Sequence, residues 1–196
     1  MRVVTLRQKE FEQACFRLAK DVALEYSPDV VIGILTGGGY LGRIIYDVLN
    51  DDGTKMYVEA EAHRPGHVVR SGGAVKKILA IMPRRILDLL RMLESRLLEW
   101  HYSVKSPEAR DVSINMPENV HDRLLAGGCR ILVVDDAIDS GGTMASVKDF
   151  LAGEYPGNEI KTAVITVTTA SPVVEADFSL YCDRVLVRFP WSNDMK

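Results

Sequence analysis

Residues Ile131–Met144 read ILVVDDAIDSGGTM, and this stretch decides the fold. It opens with an apolar, mostly β-branched run that predicts a buried strand of a parallel sheet. Two adjacent carboxylates follow, Asp135 and Asp136, and the segment Asp139–Thr143 then opens a helix. Open α/β sheets bind ligands at the carboxyl ends of their strands, so the stretch predicts both a fold class and a site.

The residues that open this helix have the chemistry of a phosphate site. Gly141 and Gly142 free backbone N–H groups, Ser140 and Thr143 add hydroxyls, and the positive end of a helix dipole lies at the same point. An ordinary helix N-cap, formed by Asp139 or Ser140, is the alternative interpretation. That alternative explains neither the paired aspartates nor the paired glycines.

The rest of the chain alternates between strand and helix patterns. Such alternation predicts a three-layer α/β domain with a central, mostly parallel sheet. Predicted strands are Val30–Leu35, Met56–Ala60, Asp111–Ile114, Arg130–Val134, Ile160–Thr168, Asp177–Cys182 and Arg184–Phe189, and predicted helices are Thr5–Tyr26, Tyr40–Leu49 and Gly142–Leu151.

One segment departs from the alternation. Ala74–Tyr102 is long, helical in period and interrupted by Pro83, and its apolar stripe is wide enough to predict a helix that buries two sides. We therefore expect one domain over residues 1–196, with a helical insertion or hood at about 62–108. The surplus of apolar surface on this helix predicts a homodimer.

Composition excludes several classes of function. The 196 residues carry a net charge of -3, so the chain lacks the excess of basic residues that is typical of a general nucleic-acid binder. No stretch approaches the roughly 20 apolar residues of a membrane span. Three widely spaced cysteines indicate neither a disulfide framework nor a zinc site. We expect a soluble, cytoplasmic protein with a small-molecule partner.

The run ILVVDDAIDSGGTM resembles the phosphoribosyl pyrophosphate (PRPP) signature of the type I phosphoribosyltransferases, and its motif is closest to the 6-oxopurine members. The resemblance implies that Asp135 and Asp136 hold the ribose hydroxyls, directly or through Mg²⁺, which makes them the candidate metal ligands. It implies that Ser140–Thr143 bind the 5-phosphate. Asp139 then lies beside the purine imidazole nitrogen as a general acid or base, and Asp136 is the second candidate catalytic residue.

A second loop follows the first buried strand, where the family binds pyrophosphate. The resemblance assigns this role to Thr36, Gly37 and Gly38. Many members carry Arg or Lys within this loop, whereas the nearest cation here is Arg43, which would neutralise pyrophosphate together with Mg²⁺. A tight structural turn is the alternative interpretation.

The C-terminal end LVRFPW resembles the tail of bacterial xanthine-guanine-type enzymes, where an aromatic residue stacks on the base. Phe189 and Trp191 are the candidates, with core or dimer packing as the alternative. Those enzymes also carry a lysine after the penultimate strand, and this chain has VTTASP there. The family's mobile closing loop corresponds to His63–Gly73, where Arg64 or Arg70 would reach the leaving pyrophosphate.

The resemblance implies an enzyme that uses Mg-PRPP to attach ribose 5-phosphate to a nitrogenous base, most often a 6-oxopurine, and releases pyrophosphate. The main alternative is a regulatory protein that binds PRPP or a nucleotide on the same fold without turnover. A PRPP synthetase shares a related motif, but those chains are about half as long again.

Overall fold

The structure is a computed structural model that describes residues 2–35, 37–63, 110–182 and 184–192, together with residues 86, 89, 92 and 93. Apart from those four, the predicted helix between Ala74 and Tyr102 lies outside the described residues, as does the closing loop after His63. The four are helical, as predicted. Ile86, Leu89 and Leu93 are exposed at 43%, 52% and 51%, so the burial predicted for this stripe is not found there within one chain.

Apart from the four helical residues at 86, 89, 92 and 93, the described residues form twelve helices and strands. In chain order these are β1 (Arg2–Thr5), α1 (Gln8–Glu25), β2 (Val30–Ile34), α2 (Gly37–Leu49), β3 (Met56–His63), β4 (Asp111–Ile114), α3 (Glu118–Leu125), β5 (Arg130–Ile138), α4 (Gly142–Glu154), β6 (Glu159–Val167), β7 (Phe178–Tyr181) and β8 (Val185–Arg188).

Six of the strands form one sheet in the order β4-β3-β2-β5-β6-β7. All neighbouring pairs run parallel except β3 and β4, which are antiparallel. The apolar runs in β2 and β5 occupy the middle of the sheet, as their sequences predict, because a central strand is covered on both faces. The mostly parallel α/β sheet is therefore confirmed.

Helices cover both faces of this sheet. On one face, Phe11 and Leu18 of α1 and Leu41 of α2 pack in a cluster with Leu132 and Val134 of β5. The opposite face forms a second cluster, in which residues of α3 and α4 pack against alternate residues of β2 and β5. Successive side chains along each central strand point to opposite faces of the sheet and so contribute to both clusters. The predicted three-layer arrangement is confirmed.

Three features of the fold differ from the sequence prediction. β1 and α3 were not predicted, and β1 pairs with β8 in a separate two-stranded parallel sheet. The two closely spaced strands near the C-terminus therefore belong to different sheets: β7 ends the main sheet and β8 joins β1. The third difference is that β5 continues four residues past Val134, to Ile138.

Candidate active site

The two carboxylates of the signature lie where β5 extends beyond the segment that is paired with β2. The last registered pair between β2 and β5 is Gly33 with Val134, whereas β5 stays paired with β6 as far as Ile138. Asp135 and Asp136 are thus within β5 but beyond its last registered pair with β2. The sequence predicted them after the strand, and the difference arises because the length of β6 extends the pairing.

The turn after β5 places a helix N-terminus at this edge of the sheet. Ser140 is buried, and its Oγ accepts a hydrogen bond from the N–H of Gly142 at 3.4 Å. Gly141 has φ +83°, and a Cβ there would lie 3.0 Å from the backbone nitrogen of Val174. Only glycine fits this position without strain, and the turn lets α4 begin at Gly142.

A cavity of about 180 Å³ opens at this turn. Its lining comes mainly from the end of β5, the turn and the first residues of α4. The lining residues are Arg110, Asp135, Ala137, Ile138, Asp139, Ser140, Gly141, Gly142, Thr143 and Met144. Every predicted residue of the phosphate turn therefore lies at one cavity, together with the carboxylates of Asp135 and Asp139.

Arg110 is a cavity residue that sequence reasoning missed. It directly precedes β4, and its backbone N–H donates to Ser146 Oγ at 2.9 Å. The same hydroxyl donates to the carbonyl of Gly142 at 3.0 Å, so Arg110 is tied to the first turn of α4. Its place beside β4 was visible in the sequence, but which strand β4 pairs with was not.

Asp136 does not line the cavity, in contrast to Asp135. Its carboxyl lies against Gly37, where the side chain of any other residue would begin. Burial raises the pKa of Asp136, and hydrogen bonds from Asp135 and from the indole of Trp191 oppose that rise. Asp136 is therefore enclosed between the start of α2 and the C-terminal segment.

The two neighbouring carboxylates share one buried environment. Burial raises the pKa of Asp135 well above its usual range, and the charge of Asp136 raises it further. One of the few local compensations is the N–H of Asp136, which donates to Asp135 Oδ1 at 2.8 Å. This pair is electrostatically costly without a ligand, which is typical of functional sites.

Asp139 is exposed at the cavity and is held by a neighbouring strand. The hydroxyl of Thr168, directly after β6, donates to Asp139 Oδ1 at 2.6 Å. The N–H of Thr168 donates at 2.9 Å to the carbonyl of Ile138, the residue directly before Asp139, so a backbone hydrogen bond also holds Thr168 next to this turn.

The predicted pyrophosphate loop differs from expectation. Thr36 lies outside the described residues, and Gly37 and Gly38 form the first turn of α2 rather than a loop before it. A Cβ on Gly38 would lie 2.6 Å from the Cα of Asp135, so α2 begins in direct contact with β5 and only glycine fits. Tyr57 of β3 also contacts the first turn of α2, because its hydroxyl donates to the carbonyl of Gly39 at 2.8 Å.

Arg43 is not brought to the cavity. Its guanidinium carbon lies 4.1 Å from the ring centroid of Tyr57 and 5.9 Å from that of Tyr46, which is cation–π geometry on the side of α2 that faces β3. The role predicted for Arg43 toward pyrophosphate therefore stays a prediction.

The two aromatic candidates at the C-terminus have different environments. Phe189 is buried in the core and stacks on Trp191, with ring centroids 5.2 Å apart and planes 2° apart. Trp191 is 43% exposed and also meets Phe11 and Tyr40 edge to face. Of the two, only Trp191 has a ring surface open to a ligand.

Two further observations concern the described part of the chain. Within residues 2–35, 37–63, 110–182 and 184–192, no three acidic, histidine or cysteine side chains gather as a ready-made metal site. None of the described helices is both long and apolar enough to cross a membrane.

A mostly parallel α/β sheet with a glycine turn, a helix N-terminus and carboxylates at one cavity is typical of proteins that bind phosphorylated ligands. A sequence model of the phosphoribosyl transferase domain family matches residues 5–191. The chain belongs to this family of phosphoribosyltransferases, and the resemblance seen in its signature is confirmed. A comparison with curated proteins gave no match.

Solved structures share this fold. A purine phosphoribosyltransferase from Pyrococcus horikoshii OT3 has a TM-score of 0.61 at 21% identity, covering 98% of this chain and 95% of its own. A xanthine-guanine-hypoxanthine phosphoribosyltransferase from Helicobacter pylori has a TM-score of 0.59 at 17% identity, with 97% and 93% covered. A Neisseria gonorrhoeae protein solved with bound ppGpp has 0.57 at 14%, with 97% and 89% covered. At these identities the likeness concerns the fold.

Proposed function

We propose that this protein transfers ribose 5-phosphate from Mg-PRPP to a ring nitrogen of a nitrogenous base, with a 6-oxopurine as the first candidate. The observation that carries the proposal is the single cavity that joins the N-terminus of α4 to the carboxylates of Asp135 and Asp139. A ligand with a phosphate at one end and hydroxyls nearby suits that arrangement.

The phosphate end of the ligand belongs at the turn before α4. The backbone N–H groups of Gly141, Gly142 and Thr143 lie at the N-terminus of α4, where no preceding helical turn supplies carbonyl acceptors for them. The helix dipole also favours an anion at this point. Ser140 and Thr143 supply hydroxyl donors, and Arg110 supplies a positive charge at the same cavity. A 5-phosphate would thus be held by neutral donors and one cation.

The ribose end belongs at Asp135. Its raised pKa reflects a carboxylate that burial and Asp136 both penalise, and ribose hydroxyls or a cation would relieve that penalty. Mg²⁺ prefers oxygen ligands and usually binds through one or two carboxylates plus substrate and water, so this donor pair fits it. Asp135 would hold the ion from the cavity side, with Asp136 beside it, and the ion would supply charge neutralisation to the pyrophosphate. Asp136, enclosed beside Gly37, would act mainly through Asp135.

The chemical step exchanges one bond at the anomeric carbon for another. The bond from that carbon to the pyrophosphate oxygen breaks, a bond to the base nitrogen forms, and pyrophosphate departs with the bonding electrons. The ring nitrogen loses its proton, which the carboxylate of Asp139 would accept. The chain's other contribution is to hold phosphate and ribose in place so that the base and carbon meet.

The base would lie against the exposed face of Trp191. An aromatic side chain binds a base by stacking, and Phe189 supports the ring from behind. Two proteins of this fold are purine and xanthine-guanine-hypoxanthine phosphoribosyltransferases, which supports a purine as substrate. The segment 168–176 carries no Lys or Arg, so the 6-oxo group would be read without the lysine of those enzymes.

The test is pyrophosphate release from PRPP and Mg²⁺ with hypoxanthine, guanine, xanthine, adenine, uracil and orotate offered in turn. Release with one base supports the proposal and names the substrate. Asp139→Asn should lower kcat by about 10²–10⁴-fold, because it removes the proton acceptor. Asp149→Asn, at an exposed position on α4, is the matched control.

A regulatory protein that binds PRPP or a nucleotide without turnover is the second candidate. The segment Leu35–Gly42 contains no cation, and Arg43 packs on Tyr57, which leaves a leaving pyrophosphate poorly neutralised at α2. The Neisseria gonorrhoeae protein, which shares this fold, was solved with bound ppGpp. Tight binding of PRPP or a nucleotide with no pyrophosphate release from any base would favour this candidate.

We propose one domain with an insertion at about 62–108 and a homodimer formed in part through that insertion. Ile86, Leu89 and Leu93 share one helix face and are exposed in the single chain, which supports a partner for them. Cys15, Cys129 and Cys182 are free thiols, which suits the reducing cytoplasm. Light scattering on the purified chain tests the dimer.

A further inference from the structure

Thr168 lies outside the signature motif, but its side chain contacts Asp139 of that motif. It is 6% exposed, and its Oγ1 lies 2.6 Å from Asp139 Oδ1 but 3.4 Å from the carbonyl oxygen of Ile138. A threonine hydroxyl has one proton to donate. The distances assign that proton to Asp139.

We infer that Thr168 is a positioning residue that fixes the carboxylate of Asp139 for the base. Two hydrogen bonds anchor the pair: the side-chain contact and the N–H of Thr168 that donates to the carbonyl of Ile138 at 2.9 Å. An exposed aspartate would otherwise sample several rotamers. With Oδ1 engaged by Thr168, the second oxygen, Oδ2, is left to accept a hydrogen bond from the ligand.

This role replaces an element expected from the resemblance. The segment after β6 would carry a lysine in a 6-oxopurine enzyme, and here the residues from 168 to 176 carry no cation. A buried threonine instead joins that segment to Asp139 as a neutral donor. The ligand group that faces Asp139 Oδ2 would then be a hydrogen-bond donor, and a protonated ring nitrogen of a base meets that requirement. The inference rests on the proposed function, since it gives Asp139 a base to contact.

The test compares Thr168→Val with Thr168→Ser and with Thr166→Val. Thr166 is fully buried in β6, and its Oγ1 donates to the carbonyl of Val185 at 2.6 Å, so its valine variant loses an equally short hydrogen bond away from Asp139. Both valine variants should lower the melting temperature. Only Thr168→Val should lower kcat, by about 10-fold or more, because a hydrogen bond to a charged group is the stronger kind.

The accompanying constants separate positioning from loss of structure. The KM for PRPP should stay within about twofold of wild type in Thr168→Val, and Thr168→Ser should recover most of the lost kcat because it restores the donor. Thr166→Val should keep the wild-type kcat. A Thr168→Val enzyme with wild-type kcat, or one no more impaired than Thr166→Val, overturns the inference.

Ligand binding decides the matter if the wild-type protein turns over no base, which would overturn the proposed enzymatic function. Calorimetry then measures the binding of two ligands: ribose 5-phosphate, and whichever nucleoside 5′-monophosphate of the six bases binds most tightly to the wild-type protein. Weaker binding of the monophosphate alone in Thr168→Val supports a contact between Asp139 and a base. Equal effects on both ligands, or a wild-type protein that binds neither, overturns the inference as well.

Discussion

The carboxyl group of Asp136 occupies the space where a side chain on Gly37 would begin: a Cβ built there lies 2.5 Å from Asp136 Cγ and closer still to Oδ2. The carboxyl group of Asp136 thus lies directly against the backbone of Gly37 at the start of α2. Partial positive charge at a helix N-terminus favours a nearby carboxylate, so the contact is electrostatic as well as steric.

Gly37→Ala should therefore damage the site and the fold together. The added methyl group forces Asp136 or the first turn of α2 to move, and overpacking of this kind costs about 1–3 kcal/mol of unfolding free energy. We expect kcat/KM to fall by about 10-fold or more, since Asp135 moves with its neighbour. Urea denaturation and pyrophosphate release measure the two effects.

Gly153→Ala is the matched control for that substitution. Gly153 lies in α4 with nothing within 4 Å of a built Cβ. Alanine there should raise the unfolding free energy by about 0.5–1 kcal/mol at most and leave activity unchanged. A Gly37→Ala protein as stable and active as Gly153→Ala would contradict the close contact.

The buried carboxylate pair predicts how stability depends on pH. Burial and the charge of Asp136 raise the pKa of Asp135 above the ordinary value of 3.8, so the folded state binds its proton more tightly than the unfolded state. The stability that this group contributes is present at low pH and is lost as pH rises above about 4, towards its folded pKa.

Asp135→Asn should remove this loss. Without PRPP and with a chelator present, the unfolding free energy of the wild-type protein should fall more steeply than that of the variant as pH rises above about 4. At neutral pH the variant should be the more stable protein and the less active enzyme. Parallel pH profiles for the two proteins would show that Asp135 titrates normally.

Much of this site could be predicted from one stretch of sequence because it is local. The strand, the carboxylates, Gly141 and the helix that follows are contiguous, and each carries its own signal of period, charge or backbone freedom. The contact between Thr168 and Asp139 spans 29 residues and depends on how β5 and β6 pair. No local pattern encodes that register.

Other differences have the same cause. β1 is four residues long, and its partner β8 lies at the opposite end of the chain, so neither length nor period marks it. The assignment of Gly37 to a loop failed because glycine usually interrupts a helix. Here close packing against β5 requires it within one.

Trp191 should be the residue that binds the base. The residue is 43% exposed, and its indole donates to Asp136. Trp191→Ala should raise the KM for the base by about 10-fold, because stacking on a base is worth roughly 1–3 kcal/mol. Trp191→Phe keeps a ring but loses the N–H, so it should be intermediate. Steady-state kinetics at saturating PRPP measure both.

The control for Trp191 is an aromatic residue on another surface. Phe16 of α1 is 50% exposed, and Phe16→Ala should leave the KM for the base unchanged. If Trp191→Ala changes only the melting temperature, the ring serves packing against Phe11 and Phe189 and the base binds elsewhere.

Arg110 should contribute the positive charge of the phosphate site. It lines the same cavity as Ser140 and Thr143, and its backbone is tied through Ser146 to the first turn of α4. Arg110→Gln should weaken ribose 5-phosphate binding by about 10-fold and reduce its dependence on salt, because a charge-assisted hydrogen bond is lost. Arg123→Gln, at an exposed position on α3, removes the same charge at a distance and should change neither quantity. Equal salt dependence in the two variants would place the ligand's phosphate away from Arg110 and leave its binding to the helix N-terminus alone.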